Sequence, residues 1–296
     1  MKKCGLNSKN DDTSDMLVYT SHDAINQMAN LLRDSSADEK ALAEEFKKLI
    51  SRSVQFPDMA LSGRMLETGE ITDTTVEASL QAAHAISTHD AHPEIDYYIA
   101  ADDIKGEDHG AGFVDEAIFS SACFYKYFSI HWEGLVENLG GNEALAAHTV
   151  GAFLRAAATV TPSGKQNSFA AHNPPDGILV EIRKEGTPIS YANAFANPVK
   201  REQDRDLIGQ SIAQLARQVR DLDIGFGRKD SDRWFWFSAN LRYPLNVVEK
   251  IDDKDQEILL TESNIPSLEK LIESAVKELG YDWASVQTEI VNAGVK

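Results

Sequence analysis

The chain has few cysteines and no long apolar run. Its 296 residues include two cysteines, Cys4 and Cys123, without the paired spacing of a disulfide framework or a zinc site. This usage is typical of a reducing cytosol. No segment approaches the roughly 20 apolar residues that a membrane-spanning helix needs. The two N-terminal lysines precede no apolar stretch, which excludes a signal peptide. We therefore predict a cytoplasmic protein that does not enter a membrane.

Basic residues are scarce and unevenly distributed. The chain has 29 Lys and Arg against 47 Asp and Glu, a formal charge of −18. Residues 65–154 contain only two basic side chains, Lys105 and Lys126, against sixteen acidic ones, whereas residues 155–242 contain thirteen against ten. This balance argues against a protein that coats nucleic acid by bulk electrostatics. It leaves a mildly basic later part, and an acidic middle that could instead mimic nucleic acid and bind basic partners.

Hydrophobic periodicity predicts a mixed α+β fold, with helices on one face of a sheet. Apolar spacing and a capping box predict helices over about 23–32, 37–52, 143–160, 206–222 and 268–279. Alternation and aromatic content predict strands over 76–86, 118–132, 167–171, 178–182 and 233–239. The region before Phe56 reads as a mostly helical appendage.

Three histidines raise the question of a metal site. His84, His89 and His92 lie among several carboxylates, but their spacing matches no zinc-hydrolase signature. If 76–86 is a strand, His84 lies on its buried face and the other two lie in the following loop. A solvated polar loop explains them without a metal. A metal-dependent hydrolase using these three residues is the alternative function.

Three short segments carry features suited to nucleic acid. Tyr97 and Tyr98 are adjacent, so in a strand one ring must point outward, where it could stack on a base. In residues 61–65, Arg64 could pair with phosphate and Met65 could act as an apolar wedge, although a strand end and turn explain the segment equally. Lys165 lies in a turn that lacks the first glycine of a phosphate loop. This turn could offer backbone N–H groups to a phosphodiester or simply join two elements.

Several motifs in a fixed order resemble one known family. They are DMALSGRM, AHAISTHD, IDYYIAADD, FSSACFYKY, ENLGG, PSGKQNSFAAHNP and PISYANAF. Together they resemble the backbone subunit of the type I-E CRISPR Cascade complex, the CasC family. The resemblance covers nearly the whole chain and is strongest over residues 58–198.

The resemblance implies a particular fold and role. The fold would be an RRM/ferredoxin-like palm sheet with helical fingers and a β-hairpin thumb. Residues 1–55 would form the fingers-like segment, and 56–296 the palm, with the thumb inserted at about 87–112. The implied role is non-catalytic: the subunit polymerises along a guide RNA (crRNA) and kinks it, so that the guide pairs with target DNA in segments during antiviral defence.

The family also implies roles for individual residues. Tyr97 and Tyr98 resemble the aromatic wedge of the thumb, although the first position is commonly Trp in the family. Met65 matches an apolar residue beside the displaced nucleotide. The remaining RNA-binding candidates are Lys165, Lys200 and Arg201, with Arg64 as an additional one. The resemblance implies no catalytic residue, metal or cofactor.

The implied partners are the other components of a Cascade complex. They are crRNA, target DNA through the guide, further copies of this chain in a helical filament, the small and large subunits, the guide-processing endonuclease and the 5′-handle-binding subunit. The first five residues resemble the end of an internal helix of the family. We therefore expect an N-terminally truncated chain, without the first palm strand and the basic segment after it, and with a reduced affinity for RNA.

Overall fold

The protein is a mixed α+β structure of helices and small sheets, which confirms the predicted fold class in its general form. The computed structural model describes residues 8–10, 13–14, 20–33, 39–52, 55–65, 75–100, 113–201, 206–227, 229–251, 254–261 and 264–285. No helix within these ranges is both long and apolar enough to cross a membrane.

All five predicted helices are confirmed, with ends that differ by a few residues. Side-chain caps explain where two of them begin: Asn142 Oδ1 accepts the N–H of Leu145 at 3.0 Å, and Asp206 Oδ1 accepts the N–H of Gly209 at 2.8 Å. The helices are α1 His22–Arg33, α2 Glu39–Arg52, α3 Pro57–Ser62, α4 Trp132–Asn138, α5 Glu143–Thr159, α6 Gln166–Phe169, α7 Leu207–Phe226 and α8 Leu268–Glu278, with a 3-10 helix at Ala192–Phe195.

The strands are short, and most form two-stranded antiparallel ribbons. Only β9, β10 and β13 form a three-stranded sheet among the described residues, in the order β13-β10-β9. The strands are β1 Ser8–Asn10, β2 Thr13–Ser14, β3 Leu80–Ala82, β4 Ile86–Ser87, β5 Glu94–Ala100, β6 Phe113–Phe119, β7 Phe124–Tyr125, β8 Phe128–Ile130, β9 Ile178–Ile182, β10 Arg233–Phe237, β11 Asn246–Ile251, β12 Lys254–Leu259 and β13 Asn264–Ile265.

Three predicted strands differ from the structure. The strand predicted over 118–132 is divided among β6, β7 and β8, and α4 begins at Trp132. The strand predicted over 76–86 is reduced to β3, the first residue of β4 and one bridge from Val76 to Arg64. The segment 167–171 is not a strand, because residues 166–169 form the single helical turn α6 between two left-handed residues, Lys165 and Ala170. The strands predicted over 178–182 and 233–239 are confirmed.

The chain divides into two compact units. Unit one contains Met1–Ala82, Phe128–Pro174 and Leu268–Lys296; unit two contains Ala83–Tyr127 and Pro175–Ser267. In unit one, α5 packs against α8 through a cluster of Ala147, Ile272, Val276 and Trp283. In unit two, the core surrounds Trp236, and α7 covers it with Ile212 and Ala216.

Candidate nucleic-acid interface

The two tyrosines lie on an antiparallel hairpin in unit two. Its strands β5 and β6 pair from Glu94↔Phe119 to Ala100↔Phe113, and we call this pair of strands the tyrosine hairpin. The thumb predicted at about 87–112 contains the first strand, but the returning strand lies beyond its predicted end. Residues 101–112, which connect the two strands, lie outside the described part of the chain.

Both tyrosine rings are accessible to a ligand. Tyr97 is 66% exposed and Tyr98 is 47% exposed. They point to opposite faces because successive strand residues alternate. Tyr97 shares its face with Ile95 and Ile118, which lie directly opposite each other on the two strands and are also exposed. A flat ligand could therefore reach an aromatic ring on either face.

One buried residue anchors the chain just before the tyrosine hairpin. The N–H of Thr88 donates to the carbonyl of Cys123 at 2.9 Å, and the carbonyl of Thr88 accepts the N–H of Val199 at 2.9 Å. Its hydroxyl lies 2.8 Å from that of Ser211 on α7. The exposed residues Lys200 and Arg201 directly follow Val199, so a basic segment adjoins Thr88, which lies six residues before the hairpin begins at Glu94.

The proton of the Thr88–Ser211 pair can be assigned by counting donors. The Ser211 hydroxyl donates its only proton to the Leu207 carbonyl at 2.6 Å, so the Thr88 hydroxyl is the donor between the two. Ser211→Ala leaves a buried donor unpaired, and we expect it to lower the free energy of unfolding by about 1–3 kcal/mol.

The double substitution Thr88→Val/Ser211→Ala provides the control. Removing both hydroxyls leaves no unpaired donor, so we expect it to be less destabilising than Ser211→Ala alone. Denaturant unfolding measures both values. A double variant as unstable as the sum of the two single variants would contradict this role.

The segment that contains Arg64 and Met65 is fixed by Gly63 in unit one. Gly63 ends α3 with a φ of 75°, and a Cβ there would lie 2.8 Å from the backbone of Val76 and Ala78. This close approach allows Arg64 and Val76 to exchange backbone hydrogen bonds of 2.8 and 2.9 Å. Met65 then projects with 75% of its surface exposed.

Arg64 has a different environment from its neighbour. It is only 6% exposed, its Nη1 lies 3.6 Å from the sulfur of Met59, and burial lowers the pKa of its guanidinium. Met65 thus has the exposure that contact with a ligand requires, whereas Arg64 packs inside unit one.

Lys165 lies in unit one in a strained backbone position. Its φ is 60°, and it is followed by α6 and then by Ala170 at 46°; these are the two non-glycine residues with positive φ among those described. The Lys165 side chain is exposed. The turn therefore presents one exposed lysine.

The three histidines do not form a metal site. His84 and His92 are exposed, so the predicted burial of His84 is wrong; it lies outside the short strands that replace 76–86. His89 Nε2 accepts the N–H of Cys123 at 3.1 Å, and its Nδ1 lies 2.8 Å from the Asp90 carbonyl. Within the described ranges, no group of three or more His, Cys, Asp or Glu is placed to hold a metal ion. The hydrolase alternative gains no support.

The predicted residues therefore fall into two sets. Arg64, Met65 and Lys165 belong to unit one, while Tyr97, Tyr98, Lys200 and Arg201 belong to unit two. Within unit two, Thr88 joins the segment that leads into the tyrosine hairpin to Val199, which directly precedes Lys200 and Arg201. Sequence reasoning missed Thr88, because its role depends on the pairing of strands distant in the sequence.

Comparisons with known proteins agree with the motif resemblance. A profile of the family described as CT1975-like protein matches residues 1–274. The chain is similar to one from a "CRISPR RNA-guided surveillance complex, pre-nicking", with 28% identity and a TM-score of 0.71, covering 93% of this chain and 72% of that chain.

A second solved structure supports the same relationship. A chain of a "CRISPR RNA-guided surveillance complex" is 28% identical with a TM-score of 0.61, covering 79% of this chain and 84% of that chain. Comparison with curated proteins gives no match. The profile match spans most of the sequence, and this chain belongs to the CT1975-like protein family.

Proposed function

We propose that this protein is a non-catalytic guide-RNA-binding backbone subunit of a cytoplasmic CRISPR Cascade complex, of type I-E. The observation that carries the proposal is a hairpin with exposed tyrosines on both faces, preceded by a residue anchored beside an exposed basic segment. Similarity to chains of RNA-guided surveillance complexes supports the same role.

The tyrosine hairpin would act as the thumb. Aromatic rings stack on bases of any sequence, because every base has a π-face. Tyr97 and Tyr98 would wedge between bases and kink the guide, so that it pairs with target DNA in segments. Met65, exposed and unbranched, would contact the displaced nucleotide.

The guide backbone would be held by lysine and arginine side chains. Lys200 and Arg201 are exposed beside Val199, which is hydrogen-bonded to Thr88, and Lys165 is exposed on its turn. Such local contacts bind phosphate without a net positive protein charge, and they give salt-dependent binding. Arg64 is left out of this track because it is buried.

The same proposal includes the assembly. Copies of this chain would follow one another along the guide on RRM-like palms, forming a helical filament. The small and large subunits, the guide-processing endonuclease and the 5′-handle-binding subunit would complete the complex. In such systems guide–target pairing supplies the sequence discrimination, while the protein reads backbone and shape.

The test is the RNA content of the assembled complex. The chain is expressed with its operon neighbours and a guide array, purified, and measured for its 260/280 nm absorbance ratio and for the length of bound RNA. We expect a discrete guide. In Lys200→Ala/Arg201→Ala we expect less bound RNA, and a salt dependence of guide binding reduced by roughly 0.7 in logarithmic slope for each phosphate that the variant no longer neutralises.

A matched variant separates local contacts from net charge. Lys270→Ala/Lys277→Ala removes the same charge from exposed positions on α8 and is expected to leave RNA content and slope unchanged. A folded complex that carries no guide would overturn the proposed function. Equal effects of the two double variants would remove the Lys200–Arg201 segment from the interface.

A further inference from the structure

The two tyrosines of the hairpin differ in how their rings are held. The Tyr98 hydroxyl donates to Asp115 Oδ2 at 2.9 Å, directly across the strand pair. The other carboxylate oxygen, Asp115 Oδ1, accepts the backbone N–H of Glu116 at 2.8 Å. The backbone therefore fixes the carboxylate, and the carboxylate in turn fixes the tyrosine ring.

The faces around the two rings also differ in charge. Tyr98 shares its face with three carboxylates, Glu94, Asp96 and Asp115. Tyr97 shares its face with Ile95, Ile118 and a single carboxylate, Glu116, which lies directly opposite it. The hydrogen bond to Asp115 raises the pKa of the Tyr98 hydroxyl, so the ring stays neutral and its hydroxyl remains a donor.

A ring that is already oriented before binding loses less side-chain entropy when it binds a ligand. An exposed side chain loses rotamer freedom when a ligand orders it, and this loss reduces affinity. Holding the ring in place before binding removes part of that loss. Carboxylates nearby repel phosphate, so the ligand suited to this ring is the face of a nucleobase.

We propose that Asp115 is a positioning residue, which holds the Tyr98 ring in the orientation that stacks on a nucleobase. This inference rests on the proposed function and deepens it. It also distinguishes the two rings: Tyr98 is held by Asp115 on the face with three carboxylates, and Tyr97 is the more exposed ring on the face with one.

The experiment measures target-DNA binding by the assembled, guide-loaded complex. Tyr98→Phe keeps the ring and removes only the hydroxyl; Asp115→Ala removes the acceptor. We expect each to weaken binding about threefold to tenfold, the scale of removing one hydrogen bond. Both substitutions break the same Tyr98–Asp115 hydrogen bond. We therefore expect the double variant Tyr98→Phe/Asp115→Ala to bind target DNA no more weakly than the weaker-binding of the two single variants.

Asp115→Asn separates the hydrogen bond from the charge. It loses the same negative charge as Asp115→Ala but retains one carbonyl oxygen, which can still accept from Tyr98, while its NH2 group cannot accept the Glu116 N–H. We expect its binding to be weaker than that of the unmodified complex but clearly tighter than that of Asp115→Ala. Equal binding by the two Asp115 variants, or tighter binding by Asp115→Ala, would overturn the inference.

Tyr98→Phe tests the inference independently of the Asp115 variants, because removing one hydroxyl from an exposed ring leaves the fold intact. Unchanged binding in that variant would overturn the positioning role of Asp115. The proposed function is judged separately, by replacing both rings with alanine. If that replacement weakens binding while Tyr98→Phe does not, only the positioning inference fails.

Discussion

Replacing both hairpin tyrosines with alanine is expected to weaken target binding by the assembled complex by about 5- to 150-fold, the range for the stacking of one base. Stacking is abolished because alanine presents no ring, whereas assembly on the guide backbone depends on other side chains. Both rings are exposed, so we expect the thermal midpoint of Tyr97→Ala/Tyr98→Ala to remain that of the unmodified chain. Equilibrium binding to a matched target and thermal melting measure the two quantities.

A second exposed aromatic residue provides the control for this prediction. Phe226 lies at the end of α7 in unit two and is highly exposed, so Phe226→Ala removes a comparable apolar surface outside the hairpin. We expect it to leave target binding unchanged. An unaltered affinity for the target in the double tyrosine variant would count against the scaffold function itself.

Trp236→Ala is expected to destabilise the protein by about 3–5 kcal/mol. Trp236 is 2% exposed at the centre of the unit two core, and its indole N–H donates to the Tyr243 carbonyl at 3.0 Å. Truncation leaves a cavity and an unpaired carbonyl. Because domains have only about 5–15 kcal/mol of stability in total, this decrease is large. The free energy of unfolding in denaturant measures it.

Two further variants test the stated cause. Leu241 is among the most exposed apolar residues, and Leu241→Ala is expected to change stability by no more than about 0.5 kcal/mol. A Cβ at Gly177 would overlap Cη2 of the Trp236 ring. Gly177→Ala is therefore expected to destabilise the native chain but not the Trp236→Ala variant. If Gly177→Ala destabilised the native chain and the Trp236→Ala variant equally, contact with the Trp236 ring would not be what excludes a side chain at position 177.

The helices were predictable from the sequence because their signals are local. The helical periodicity of α7 and its capping residue Asp206 both lie within one segment of the chain. The strands were predicted less well. The aromatic residues of 118–132 have the same β-propensity throughout, but the partner segment 80–100 decides which of them pair, and α4 begins within the predicted strand.

The short helix α6 was missed for a different reason. The two residues that adopt a left-handed backbone, Lys165 and Ala170, are of types that rarely have positive φ, so their identity does not signal the conformation. The positive φ at these two positions is a property of the folded chain and could not be predicted from the residue types.

The candidate site shows the same division between local and distant signals. Tyr97 and Tyr98 could be found from the sequence, because two adjacent rings on a strand must face in opposite directions. Asp115 and Thr88 could not be found, because each acts across a strand pair whose register only the structure supplies. Arg64 was proposed from its charge, and its burial depends on the close approach at Gly63.

The acidity of the tyrosine hairpin gives ionic strength two opposite effects. Residues 94–119 contain eight acidic side chains and one lysine. If Lys200 and Arg201 bind phosphate as proposed, added salt weakens that attraction, but it also screens repulsion between the hairpin and the same phosphates. Stacking itself depends little on screening. For the proposed complex we therefore expect that, as the salt concentration rises, stacking on the aromatic rings contributes a growing share of the remaining affinity.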